Sequence, residues 1–139
     1  MEGLTELIAC ALGHQVPVTV FDPVPEYDGS LPRLLVYSVA WNKPNLASEH
    51  LVASFASLDA EMQGMANTWH VRYISLYRGI CDAQSCAGYA DAAHKVPLMS
   101  DENNLSQPGA SLTVQRLVAK GESELNCAKR MGSTKKFVG

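Results

Sequence analysis

Twice this chain runs from an amphipathic helix through a short turn into a β-branched segment, and that order restricts the fold more than any property of composition. In the first pass, Leu4, Leu7, Ile8, Ala11 and Leu12 recur at helical spacing over Glu2 to Gly13, with Gly13 as the stop. "QVPVTVFDPVP" then supplies Val16, Val18, Val20 and Phe21, a buried strand closed by Pro23 and Pro25. Pro17 has no amide proton, so the strand starts at Val18 or lies away from the sheet centre. In the second pass, Leu51, Phe55, Leu58, Met62 and Met65 form the stripe of one long helix that starts at Pro44-Asn45 and ends at Asn67-Thr68. Such a stripe reads as core rather than as a cofactor contact. "WHVRYISLY" follows as a second strand, largely apolar on both faces. Strands reached through helices become parallel neighbours with helices over their faces, so the expectation is an α/β fold.

The rest of the chain adds one short element and one helix. Between Glu26 and Pro44 the sequence is rich in Pro, Gly and Asp, and "RLLVYSVAW" is its single packed element, in the kind of segment that often forms binding surfaces. A closing helix runs from Gln107 or Pro108 to Lys120, capped by Ser106, with Pro108 tolerated in its first turn. After Gly121, "ESELNCAKRMGSTKKFVG" loses apolar periodicity. Residues 1–120 are therefore expected to form the domain, and 121–139 an appended, disordered tail or the product of a shifted reading frame.

Composition excludes several function classes. At 139 residues and 47% apolar, the chain suits one domain with a core. A net charge of -3, with the basic residues Lys129, Arg130, Lys135 and Lys136 gathered only in the tail, offers nucleic acid no basic face. No apolar run approaches the roughly 20 residues of a membrane span, and no basic n-region precedes an apolar stretch, so the chain carries no export signal of its own.

Two features carry chemistry. Cys81 and Cys86, at C-x4-C spacing in "GICDAQSCAGY", can close a disulfide, stay as thiols, or supply half of a zinc site. No second pair completes such a site, so neither metal nor cofactor is expected. The other feature is "SDENNLSQPGASLTVQRL". Taken alone it is a polar turn at Asp101 to Asn104 leading to a helix capped by Ser106.

In order, four elements of the chain resemble the C-terminal half of the SGNH-type hydrolase domain fused behind membrane O-acyltransferases of the O-antigen and peptidoglycan acetylase kind. They are the helix into "GHQVPVTVFDPVP", the strand "VRYISLY", the pair "CDAQSC", and "DENNLSQPGASL". The last looks like the family's Asp-x-x-His-Leu-Ser-x-x-Gly-Ala block, with Leu105, Ser106, Gly109 and Ala110 in place. The resemblance covers about Leu4 to Leu117. It implies a partial three-layer α/β sandwich with a parallel sheet, SGNH or flavodoxin-like, lacking its N-terminal strands. It also implies a serine esterase or acyl-transfer site, in which Ser attacks an ester, His takes the proton and Asp orients the His.

Carried over residue by residue, Asp101 matches the orienting Asp, and Asn104 stands at the His position. A carboxamide has no basic nitrogen and cannot act as general base. The family's Gly-Asp-Ser nucleophile block and its oxyanion Gly and Asn blocks have no match, since Asp28-Gly29-Ser30 has another order and reads as a turn. His14, His50 and His70 read as surface or boundary residues; the loop of His94 can fold near Asp101. The resemblance further implies a Cys81–Cys86 disulfide on the periplasmic or extracellular face of the membrane. Implied partners are an acyl ester or carbohydrate substrate, and either a missing N-terminal half or a membrane acyltransferase domain. The chain is accordingly read as a fragment of an esterase or O-acyltransferase acting on cell-surface carbohydrate, inactive alone. The alternative is a non-catalytic remnant that binds a glycan or a partner, and in either case an uncovered sheet edge favours aggregation or association.

Overall fold

The structure, a computed structural model, describes residues 2–21, 23–82 and 85–121. The expected tail, apart from Gly121, and Cys127 with it, lies outside the described residues. The elements run α1 (Glu2–Gly13), β1 (Thr19–Phe21), α2 (Leu31–Ala40), α3 (Leu46–Glu49), α4 (Ser54–Trp69), β2 (Arg72–Ile74), α5 (Leu76–Ile80) and α6 (Gln107–Ala119). β1 and β2 pair in parallel, with Thr19 opposite Arg72, Val20 opposite Tyr73 and Phe21 opposite Ile74. This is the mixed α/β arrangement that two helix-then-strand passages dictate.

Two local expectations are corrected, and the short packed element acquires a type. The long helix is broken: α3 stops at Glu49 and α4 starts at Ser54. Between them the backbone pairs elsewhere, since Asp28 N–H donates to His50 O (2.9 Å) and Val52 N–H to Glu26 O (2.8 Å), around an antiparallel bridge of Tyr27 and Leu51. A helix through this point would have to surrender those bonds. The second strand ends at Ile74, because Ser75 turns the chain into α5 by accepting Arg78 N–H at 3.0 Å. "RLLVYSVAW" is helical, as α2, with Pro32 in its first turn and Leu31, Leu34 and Leu35 buried along one face.

The main core gathers Tyr27, Leu31, Leu34, Leu35, Ile80, Cys81, Leu98 and Met99. It joins α2 to the end of α5 and to the extended segment that leads to Asp101. Burial and the nearby Tyr77 push the Tyr27 phenol up to about 12, so it stays neutral throughout the physiological range. Asp59, only 6% exposed, is the buried charge of the other side. It accepts Tyr73 Oη–H and Arg78 Nε–H, both at 2.8 Å, which ties α4 to β2 and α5. A buried carboxylate so paired holds these elements in register; removing one partner would leave it uncompensated.

α6 is placed by two glycines. A Cβ on Gly79 would stand 3.0 Å from both Leu117 Cγ and Thr113 Cγ2, so the missing side chain lets α5 and α6 approach closely. A Cβ on Gly109 would lie 1.9 Å from the carbonyl oxygen of Leu98, a backbone atom that cannot swing aside. Gly109→Ala is expected to cost at least about 3 kcal/mol. Gly64→Ala, at an open position within α4, should instead gain up to about 1 kcal/mol. Urea unfolding followed by far-UV circular dichroism measures both.

Candidate functional site

The loop that carries Asp101 and Asn104 stands on a buried base. Leu98 and Met99 are buried below it, Met99 bridges Leu105, and Ser100 N–H closes the loop on Asn104 O at 2.8 Å. On its far side Ser106 N–H donates to Leu98 O (2.9 Å). The Ser106 hydroxyl shares its proton between Pro97 O (2.9 Å) and Leu98 O (3.0 Å), and accepts Gly109 N–H at 3.1 Å. Ser106 thus caps α6 as expected and also fastens the loop to that helix.

Inside the loop the two candidate site residues meet. Asp101 Oδ1 accepts the backbone N–H groups of Asn103 (3.0 Å) and Asn104 (2.8 Å), and Oδ2 accepts the side-chain amide of Asn104 at 2.8 Å. The Asn104 amide also donates to Asn103 Oδ1 at 3.1 Å, which uses both of its protons. What remains to it is a carbonyl oxygen, able to accept a bond from a hydroxyl but not to carry its proton away.

His94 has a different place. Its ring stacks on Tyr89, with centroids 4.7 Å apart, while the carboxylate of Asp101 is occupied by Asn103 and Asn104. Asp28-Gly29-Ser30 forms a bend, as its composition indicates, and it lies directly beside the Asp101 loop. Leu31 N–H donates to Asp101 O at 3.1 Å, and Tyr27 N–H to Glu102 O at 3.0 Å. Ser30 stands at the N-cap position of α2, yet its hydroxyl makes no cap bond. Cys81 and Cys86 form a disulfide that holds the end of α5 against the following strand-like segment, where Ala87 N–H donates to Ile80 O at 3.0 Å. Among the described residues no group of three or more His, Cys, Asp or Glu could hold a metal ion.

Sequence reasoning missed a second constellation. The short pairing of residues 26–28 with 50–52 brings His50 Nδ1 to 2.5 Å from Asp28 Oδ1. Reading residues 45–67 as one unbroken helix concealed this, because it set His50 on a solvent face. Tyr37 and Trp41, four apart and so on one face of a helix, stack with centroids 4.6 Å apart. That spacing was the available signal. Asp28, Arg33, Tyr37, Trp41, Leu46 and His50 border a cavity of about 390 Å³. A larger cavity of about 570 Å³, beside Asp91, His94 and Arg116, borders neither Asp101 nor Asn104.

Fold and loop together define an SGNH-type α/β domain. The chain belongs to the family of SGNH domains fused to AT3 domains, whose model matches residues 1–119. AT3 domains are acyltransferases, so the family joins this kind of domain to an acyltransferase. The fold is also that of the lipopolysaccharide acetyltransferase periplasmic domain of Salmonella ser. Paratyphi A, with a TM-score of 0.73 at 17% identity. That likeness covers 88% of this chain and 49% of the other, so the chain spans about half the length of that structure. Comparison with curated proteins finds no match. No helix among the described residues is long and apolar enough to cross a membrane.

The carboxylates make the loops sensitive to acid. The Asn104 amide, with the backbone N–H groups of Asn103 and Asn104, holds the Asp101 carboxyl below its ordinary value. The Val96 N–H chiefly, then that of Lys95, does the same for Asp91. A depressed carboxyl stabilises the fold above its unfolded value of about 3.9, and that contribution is lost as pH falls through the folded value. Asp91→Asn with Asp101→Asn should therefore flatten the acid limb of the stability curve below about pH 4. Urea midpoints measured from pH 7 downward would show it.

Proposed function

We propose that this chain supplies the C-terminal, Asp-bearing part of an SGNH-type acyl-ester site that serves acylation of cell-surface carbohydrate, and that it does not turn over by itself. The observation that carries this reading is the clasp of Asp101 on Asn104, in a chain of a family fused to acyltransferases. Asp101 takes the part of the orienting carboxylate, and Asn104 occupies the position of the base without its chemistry. In a triad, loss of the base lowers the rate by several orders of magnitude, and loss of the nucleophile does the same.

The sheet suggests what would complete the site. Among the described residues β1 and β2 make a two-stranded ribbon, while Phe21 is 52% and Leu7 67% exposed, with Val16 and Leu12 also exposed. An apolar strip on a short parallel ribbon is suited to cover by further strands and helices. In this reading they are the remainder of an SGNH domain, from the same polypeptide or a separate one, beside a membrane acyltransferase. The site would then face the periplasm or cell exterior, where the Cys81–Cys86 disulfide persists.

Ester chemistry tests the proposal in isolation and in the cell. The isolated chain should release no p-nitrophenol from p-nitrophenyl acetate above a buffer blank, with or without Asn104→His. The same substitution at the native locus should raise the alkali-releasable acetate of the surface polysaccharide, because an imidazole held by Asp101 restores a base. Unchanged acetate would favour the second reading, a remnant that binds glycan and performs no chemistry. That reading has its own observation in the aromatic cavity beside His50.

A further inference from the structure

From the cavity between α2 and His50 we infer a saccharide-binding subsite, in which Trp41 is the platform for a sugar ring and Asp28, Arg33 and His50 bind its hydroxyls. The inference deepens the proposed function and rests on it only for calling the saccharide an acyl acceptor.

Trp41 is 57% exposed at the C-terminal end of α2, and Tyr37 stacks nearly parallel behind it, at 9°. The stacked pair presents an aromatic, largely apolar surface at the cavity rim. Across the cavity the chemistry changes. Asp28 offers only acceptors, and Arg33 only donors. Because a carboxylate only accepts, the His50 proton shared with it sits on Nδ1, leaving Nε2 available to a ligand. The Arg33 guanidinium lies over Gly29, whose Cβ would be 3.6 Å from Nη2, and makes no ion pair among the described residues.

These groups suit one class of ligand. An entirely apolar molecule would strip water from Asp28 and Arg33 without replacing it. A simple anion would meet the Asp28 carboxylate, and a simple cation the Arg33 guanidinium. A pyranose has a C–H face for the indole and, round its edge, hydroxyls that both donate and accept, which matches a rim holding a pure acceptor beside a pure donor. A volume of about 390 Å³ fits roughly one or two such rings, at the lower end of small-molecule sites. Asp28 and Gly29 line the cavity, in a segment hydrogen-bonded to the Asp101 loop through Leu31 and Tyr27. A saccharide in the cavity therefore lies against the segment that borders the candidate acyl site.

The test is a titration of the full chain by ¹H–¹⁵N NMR, in which Trp41 and Trp69 give separate indole signals. Cellotriose, mannotriose and chitotriose are the probes, each taken to about 20 mM, which detects millimolar affinity. At least one should shift the Trp41 indole signal saturably and leave that of Trp69 in place. Trp41→Ala and, separately, Arg33→Gln should weaken binding by about tenfold or more. Both positions are exposed, so the remaining amide spectrum should be preserved; if Trp41→Ala disturbs it, Arg33→Gln decides alone. No saturable shift with any probe, or binding unchanged in the variants, overturns the subsite. Saccharide binding with surface acetate unchanged by Asn104→His at the native locus would sink the acylation reading and leave the subsite standing; raised acetate without saccharide binding would do the reverse.

Discussion

Everything near the candidate site hangs on the contact between Gly109 and the carbonyl of Leu98. No side chain fits there, so the first turn of α6 sits directly on the extended segment that enters the Asp101 loop. Ser106 completes the junction by binding that segment and capping the helix with one hydroxyl. The loop between Met99 and Leu105 is consequently a closed unit, anchored at both ends. Its carboxylate can turn inward and hold Asn104 because the backbone is already in place.

The Asp101 loop in turn anchors the segment beside it. Tyr27 and Leu31 donate backbone protons to the Asp101 loop, and Tyr27 also bridges Leu51. Residues 26–31 thus lie between the loop of Asp101 and the break that carries His50. The Asp101 loop and the cavity bordered by Trp41 and His50 therefore lie on opposite sides of one short segment. The acidic groups differ in kind: Asp101 is spent on its own loop, whereas Asp28 faces outward with His50.

Sequence reading went furthest where periodicity was long or a residue had a single local use. α1, α6 and the Ser106 cap follow from apolar spacing and from the preference of Ser for an N-terminus. The parallel pairing of β1 and β2 follows from the helices that precede them. The end of β2 escaped because "WHVRYISLY" is largely apolar, and apolarity by itself does not separate strand from helix. Ser75, a potential cap in the middle of the run, was the informative residue.

By itself the sequence determined the α/β class and the polar turn from Asp101 to Asn104 ahead of a helix capped by Ser106, because each depends on residue type at fixed local spacing. Tertiary structure alone decided where the long apolar stripe would break, since residues 50–52 bond to residues 26–28 rather than to their own helix. It also decided that Asp28 would meet His50 and that Trp41 would border the same cavity. Those contacts join segments far apart along the chain, and no local propensity encodes the backbone pairing that brings them together.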